Sequence, residues 1–142
     1  MVFVMLLIWL YRPSRRMLLT TPSWLHHSMT IDALSHDKLV LCEKPLALNS
    51  KDINDIIKKS LDKSVPVWVV LQRRYAHAVR YLEQLLHPKK LGTPHLVQIN
   101  CLWNRGEHYF DSPWKGDRSK DGGALFNQFS HYIDLVTYLF GS

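Results

Sequence analysis

The sequence predicts an α/β protein: a parallel sheet with crossover helices, followed from about residue 76 by an α+β segment. Three observations carry this. Residues 17–21, 38–42 and 65–71 are short apolar runs, as expected of strands buried on both faces. Helical patterns separate them at residues 27–35 and 49–63. The resulting order, strand–helix–strand–helix–strand, is the one that right-handed crossovers convert into a parallel sheet.

The first 11 residues, Met1-Val-Phe-Val-Met-Leu-Leu-Ile-Trp-Leu-Tyr11, are uncharged and mostly apolar. They fall well short of the ~20 residues that cross a bilayer as a helix. Arg12, Arg15 and Arg16 come after the run rather than before it, the reverse of a secretory signal. A short N-terminal tether is the membrane alternative; a buried strand, or sequence unrelated to the rest of the fold, is favoured over it. Met17-Leu-Leu-Thr-Thr21 then reads as a strand ending at Pro22, and Ser23 can cap the next helix. Met29, Ile31, Ala33 and Leu34 are the apolar members of that helix, over 27–35. Lys38-Leu-Val-Leu-Cys42 is the second strand.

Residues 49–63 form the clearest helix. Asn49 is a capping residue, Ile53, Ile56, Ile57 and Leu61 share one face, and Lys58, Lys59 and Lys63 gather at the C-terminal end. Val65-Pro-Val-Trp-Val-Val-Leu71 is the third strand. A helix over 76–87 presents Val79, Leu82, Leu85 and Leu86 on one side, and residues 88–94 make a turn-rich connection. Residues 95–103 alternate in the manner of a half-exposed strand, with Leu96, Ile99, Cys101 and Trp103 among the apolar members. Residues 104–121 are polar and aromatic without periodicity. A last helix runs from about Gly123 to Phe140.

Composition narrows the function classes. The chain has 142 residues, 46% hydrophobic and 21% charged, the balance of a soluble globular protein. A formal charge of +6 favours anionic ligands. No basic run of recognition length and no nucleic-acid motif is present, so a phosphorylated small molecule is preferred over nucleic acid. Cys42 and Cys101 are far apart in sequence and form no metal-ligand spacing, so no metal site is expected. Two isolated cysteines read as thiols of a reducing, cytoplasmic compartment.

Parallel sheets bind ligands beyond the carboxyl ends of their strands. Thr21-Pro22, Glu43-Lys44-Pro45 and Gln72-Arg73-Arg74-Tyr75 all fall at such ends, so three polar clusters are expected along one edge. Asn127 and His131 are four apart on the last helix and share a face. A neutral imidazole can accept an alcohol proton, an amide can orient a hydroxyl, and a partly desolvated lysine can polarise an oxygen. On spacing alone, His131 also reads as a satisfied helix histidine and Lys44 as a surface lysine.

The motifs, taken together, resemble the Gfo/Idh/MocA family of NAD(P)-dependent sugar oxidoreductases. The matching residues are Thr21-Pro-Ser-Trp-Leu-His26, then Lys38-Leu-Val-Leu-Cys-Glu43-Lys44-Pro45, then Arg74-Tyr75, then Leu91-Gly92-Thr-Pro94. Last comes Gly122-Gly123-Ala-Leu-Phe-Asn127-Gln-Phe-Ser-His131-Tyr-Ile-Asp134, continuing to Gly141. The resemblance covers residues 17–142. It implies that residues 1–75 are part of a Rossmann-like dinucleotide-binding domain, with 1–16 atypical. Residues 76–142 would begin an α+β substrate and oligomerisation domain.

The resemblance further implies NAD or NADP as cofactor and a sugar or nucleotide sugar as substrate, with hydride transfer between the two. Lys44, His131 and Asn127 would be catalytic. Thr21, Pro22, His26, Glu43, Lys44, Pro45 and Arg74 would lie at the cofactor. Asn127, where many members carry aspartate, resembles the branch acting on the 3-hydroxyl of nucleotide-sugar uronates. Tyr75, Arg105, Tyr109 and Trp114 would contact the substrate, and the intact relative would be a homo-oligomer.

One departure matters. The glycines are residues 92, 106, 116, 122, 123 and 141, so no G-x-G-x-x-G follows a first strand. The acidic residue beyond that motif, which selects NAD or NADP, is missing with it. The expectation is an internal fragment with weak or no dinucleotide affinity. The alternative is a non-catalytic remnant acting as a binding or oligomerising module.

Overall fold

The computed structural model describes residues 14–87 and 90–141. The expectation for residues 1–11 lies outside the described residues. Three parallel strands, β1 (Arg16–Leu19), β2 (Leu39–Glu43) and β3 (Val67–Val70), form a sheet in the order β1-β2-β3. In register, Leu18 faces Leu41, and Leu41 faces Trp68. The two crossovers are α1 (His26–Ser35) and α2 (Ser50–Lys63). Successive strands step in one direction across the sheet, so right-handed crossovers place both helices on one face.

That face holds the core. Met17 and Leu19 of β1, Val40 and Cys42 of β2, and Met29 and Ala33 of α1 are buried together. A second cluster joins Leu34 of α1, Ile56 of α2 and Ala47 of the connecting loop. Burial pushes the Cys42 thiol up to about 12, so it behaves as a small apolar side chain. Asn49 caps α2, accepting from the Asp52 amide at 2.9 Å, and Ser64 closes the helix in the left-handed conformation.

Beyond β3, a 3-10 turn (Gln72–Tyr75) leads into α3 (His77–Leu86). A second 3-10 turn (Glu107–Tyr109) and a short helix α4 (Arg118–Asp121) come next. The chain then forms a π turn (Leu125–Phe129) that continues as α5 (Ser130–Phe140). The half-exposed strand expected over 95–103 does not form; the segment has no regular structure. Alternation supplies a strand with two faces, but a ladder needs a partner backbone. Among the described residues no segment pairs with it, and Leu96 and Leu102 are exposed.

Candidate functional site

Each parallel strand delivers its carboxyl-end loop to the same edge. Thr21 and Pro22 lie just past β1, and Glu43 closes β2 with Lys44 and Pro45 immediately after it. His26, 1% exposed at the start of α1, ties two of these loops together. Its Nδ1 lies 2.7 Å from the Pro45 carbonyl oxygen and its Nε2 2.7 Å from that of Thr21. Both ring nitrogens are therefore engaged with the backbone, and the Lys44-Pro45 peptide between these loops is cis. The Thr21 hydroxyl contacts the Met29 sulfur at 3.3 Å, and a Glu43 carboxylate oxygen accepts from the Lys44 amide at 3.3 Å.

Lys44 reaches from the sheet to the last helix, its Nζ donating to the main-chain carbonyl of Asn127 in the π turn. π turns are uncommon and often mark functional sites. Burial lowers the Lys44 pKa, and Arg73 lowers it further against the opposing effect of Glu43. His131, one helical turn beyond Asn127, is 6% exposed, and its Nδ1 is buried without a hydrogen-bond partner among the described residues. Burial lowers the His131 pKa first, with the Lys44 and Arg73 charges adding to it. The pair thus consists of a neutral imidazole with an open nitrogen and a partly desolvated cation beside it.

A cavity of about 360 Å³ includes Trp103, Arg105, Tyr109, Gln128 and Asn127, the residue whose carbonyl Lys44 engages, in its lining. The Asn127 amide donates to the Tyr109 hydroxyl at 3.1 Å. The Arg105 guanidinium lies 3.8 Å from the Trp103 ring centre and 4.0 Å from that of Tyr109. Lys115 Nζ sits 4.4 Å from the Tyr109 ring centre. The aromatic faces hold these cations in place and leave their charge available to an anion. Trp114 packs on Trp24 at 5.5 Å, joining this loop to the segment after β1.

The structure thus brings Lys44, Asn127, His131, Tyr109 and Arg105 into one region. Arg74 is otherwise engaged: it forms a two-pronged pair with Asp134 of α5 at 2.9 and 2.5 Å. Tyr75 points outward at 78% exposure. Sequence reasoning missed Asp121, a buried carboxylate that accepts from the Gly116 amide at 2.7 Å and the Gly123 amide at 2.6 Å. Those two bonds hold the aromatic loop against the start of the last helix. The available signal was an aspartate immediately before Gly122-Gly123, a position for turn chemistry. Arg73 was also missed as a site residue, although its charge acts on both Lys44 and His131.

Parallel strands with polar loops gathered past their carboxyl ends define the Rossmann-like nucleotide-binding class. The chain belongs to the Gfo/Idh/MocA oxidoreductase family. Residues 15–71 match the family's NAD-binding Rossmann-fold model, and residues 79–142 match the model of a Gfo/Idh/MocA C-terminal domain. The 2,7-anhydro-N-acetylneuraminate hydratase of Mediterraneibacter gnavus is 29% identical over 87% of this chain and 33% of its own. Glucose-6-phosphate 3-dehydrogenase of Bacillus subtilis is 29% identical over 91% of this chain and 37% of its own. The WlbA dehydrogenase of Bordetella pertussis, solved with NADH and UDP-GlcNAcA, superposes with a TM-score of 0.89. It is 30% identical over 99% of this chain and 40% of its own. The chain therefore spans about a third of the length of these curated relatives.

Proposed function

We propose that this chain carries the substrate half of a nucleotide-sugar dehydrogenase site of the Gfo/Idh/MocA type. The observation that carries the reading is Lys44 beside His131, a depressed-pKa cation next to a buried imidazole with an open nitrogen. His131 accepts the proton of a sugar hydroxyl, Lys44 polarises its oxygen, and the Asn127–Tyr109 pair orients the ring. The nicotinamide, when bound, supplies the acceptor for the hydride. Arg105 and Lys115, stacked on aromatic faces, suit the negative charge of a diphosphate or uronate. The likeness to the WlbA structure, crystallised with UDP-GlcNAcA, supports that substrate class.

The open Nδ1 of His131 and the partly desolvated Lys44 suit the nicotinamide end of NAD, which they would face in this reading. The sequence does not include a glycine-rich turn for the pyrophosphate, so the isolated chain should bind NAD weakly or not at all. A cytoplasmic setting fits the two free cysteines, Cys42 and Cys101. A homo-oligomer belongs to the same reading: a groove of about 280 Å³ between α3 and α5 is almost wholly apolar and would be covered in an assembly.

The test fuses this chain behind the glycine-rich dinucleotide-binding segment of the Bordetella relative and monitors NAD reduction with a nucleotide-sugar uronate. Lys44→Ala and His131→Ala should each lower kcat by ~100-fold or more while the circular-dichroism spectrum is retained. Near-normal turnover in either variant would overturn the catalytic assignment.

The second reading is a non-catalytic binding or oligomerising module. The exposed Leu96 and Leu102 favour it, since an unpaired extended segment invites association. A defined oligomer in size-exclusion chromatography, with no substrate-dependent activity in the fusion, would establish it.

A further inference from the structure

The cavity lined by Arg105, Tyr109 and Asn127 also holds a carboxylate that the proposed reaction does not use. Asp121, at the end of α4, is 4% exposed and lines that cavity together with Gly116 and Gly123. A buried carboxylate works against an anionic ligand and persists where its oxygens are hydrogen-bonded. Here both are committed: Oδ2 accepts from the Gly116 amide at 2.7 Å and Oδ1 from the Gly123 amide at 2.6 Å. Hydrogen bonds to an ionised acceptor are roughly twice as strong as neutral ones.

The two amides belong to segments with different tasks. Gly116 directly follows Lys115, whose Nζ lies 4.4 Å from the Tyr109 ring centre and 5.7 Å from that of Trp114. Gly123 leads into the π turn that carries Asn127. One side chain therefore fixes where Lys115 stands relative to Asn127. The backbone at Gly116 has little slack: its φ is +85°, and an added Cβ would lie 3.2 Å from Phe110 Cδ1. Trp114, on the same loop, is held against Trp24 at 5.5 Å. We propose that Asp121 is a positioning residue for the phosphates of the substrate. With both oxygens engaged it contacts no ligand itself. It acts through Gly116 on Lys115, setting that ammonium at the distance from Asn127 that a sugar joined to a diphosphate requires. The chain thereby selects a phosphate-bearing sugar over a free one. This inference rests on the nucleotide-sugar reading of the same cavity and adds the residue that spaces its two ends.

A double-mutant cycle on this chain tests it, with UDP binding followed through amide NMR shifts. Asp121→Asn keeps the side-chain shape but turns one acceptor oxygen into a donor that faces a backbone N–H. It should weaken UDP binding ~10-fold, as a cation displaced by a fraction of an ångström would. Lys115→Ala should weaken it by a similar factor, ~10-fold. The two together should lose no more than Lys115→Ala alone, because Asp121 acts through Lys115. If Asp121→Asn does not fold, Asp121→Glu replaces it in the cycle, and hydrogen exchange of the unmodified chain supplies a second measurement. There the Gly116 amide should exchange ~100-fold or more slowly than an open loop.

Additive losses overturn the proposal, since a carboxylate that only stabilises the fold lowers affinity whether or not Lys115 is present. Exchange of the Gly116 amide at the open-loop rate overturns it as well. So does a chain that responds to glucuronate and not to UDP, because Lys115 would then serve a carboxylate. Failure of the underlying reading looks different. A fusion enzyme without turnover, alongside a non-additive cycle, removes the dehydrogenase reading and supports the role of Asp121. A fusion enzyme whose KM for the nucleotide-sugar uronate is unchanged by Asp121→Asn keeps the reading and removes that role.

Discussion

His131 shows how much one residue's environment does. Its ordinary pKa is near 6.5, and burial together with the Lys44 and Arg73 charges brings it lower. The folded chain therefore binds this proton less readily than the unfolded chain. The stability this represents is complete above pH 6.5 and is lost as the pH falls from there toward the folded-state value. A histidine proton-NMR titration should place the His131 midpoint below 6.5. Lys44→Met should raise that midpoint part of the way back, because burial persists when the charge is removed. An unchanged midpoint in Lys44→Met would show that the lysine's field does not reach the imidazole. Lys44, Asn127 and His131 were legible as types and spacings in the sequence. Their states were not: the engagement of Lys44 with the Asn127 carbonyl and the open Nδ1 of His131 arise between segments 83 residues apart.

Among the elements, α2 was the most legible, because capping residue, apolar stripe and terminal lysines are all local features. The last helix was legible in extent but not in its π turn, which no periodicity announces. Its start depends on Gly122, which holds a positive φ of 73°; an added Cβ would lie 2.6 Å from the Phe126 Cβ and 2.9 Å from Leu48 Cδ2. Gly122→Ala should cost about 2 kcal/mol, from the left-handed backbone and the overpacking combined, as read by urea unfolding. A change within experimental error would show that the turn relaxes freely. The segment over 95–103 marks the opposite limit, since its alternation was real and its partner is not among the described residues.

At the scale of the molecule, the sheet and the later helices are joined by a few polar contacts. Arg74, just past β3, grips Asp134 on α5, and the Arg74 guanidinium lies 4.8 Å from the Tyr138 ring centre. The Tyr138 hydroxyl in turn donates to Glu83 of α3 at 2.6 Å. A double-mutant cycle with Arg74→Ala and Asp134→Ala should give a coupling of about 1 kcal/mol, the pair being only partly buried. Strict additivity would mean that the pair does not hold the two parts together. No helix among the described residues is long and apolar enough to cross a membrane. By itself the sequence determined the strand–helix alternation, the edge on which the polar loops gather and the types and spacings of the candidate residues, because these depend on local pattern and chain order. Only the tertiary structure decided that Arg74 is engaged by Asp134 and that Asp121 pins the aromatic loop. Each of those depends on which distant segments meet, and burial, charge and hydrogen bonding act through that proximity.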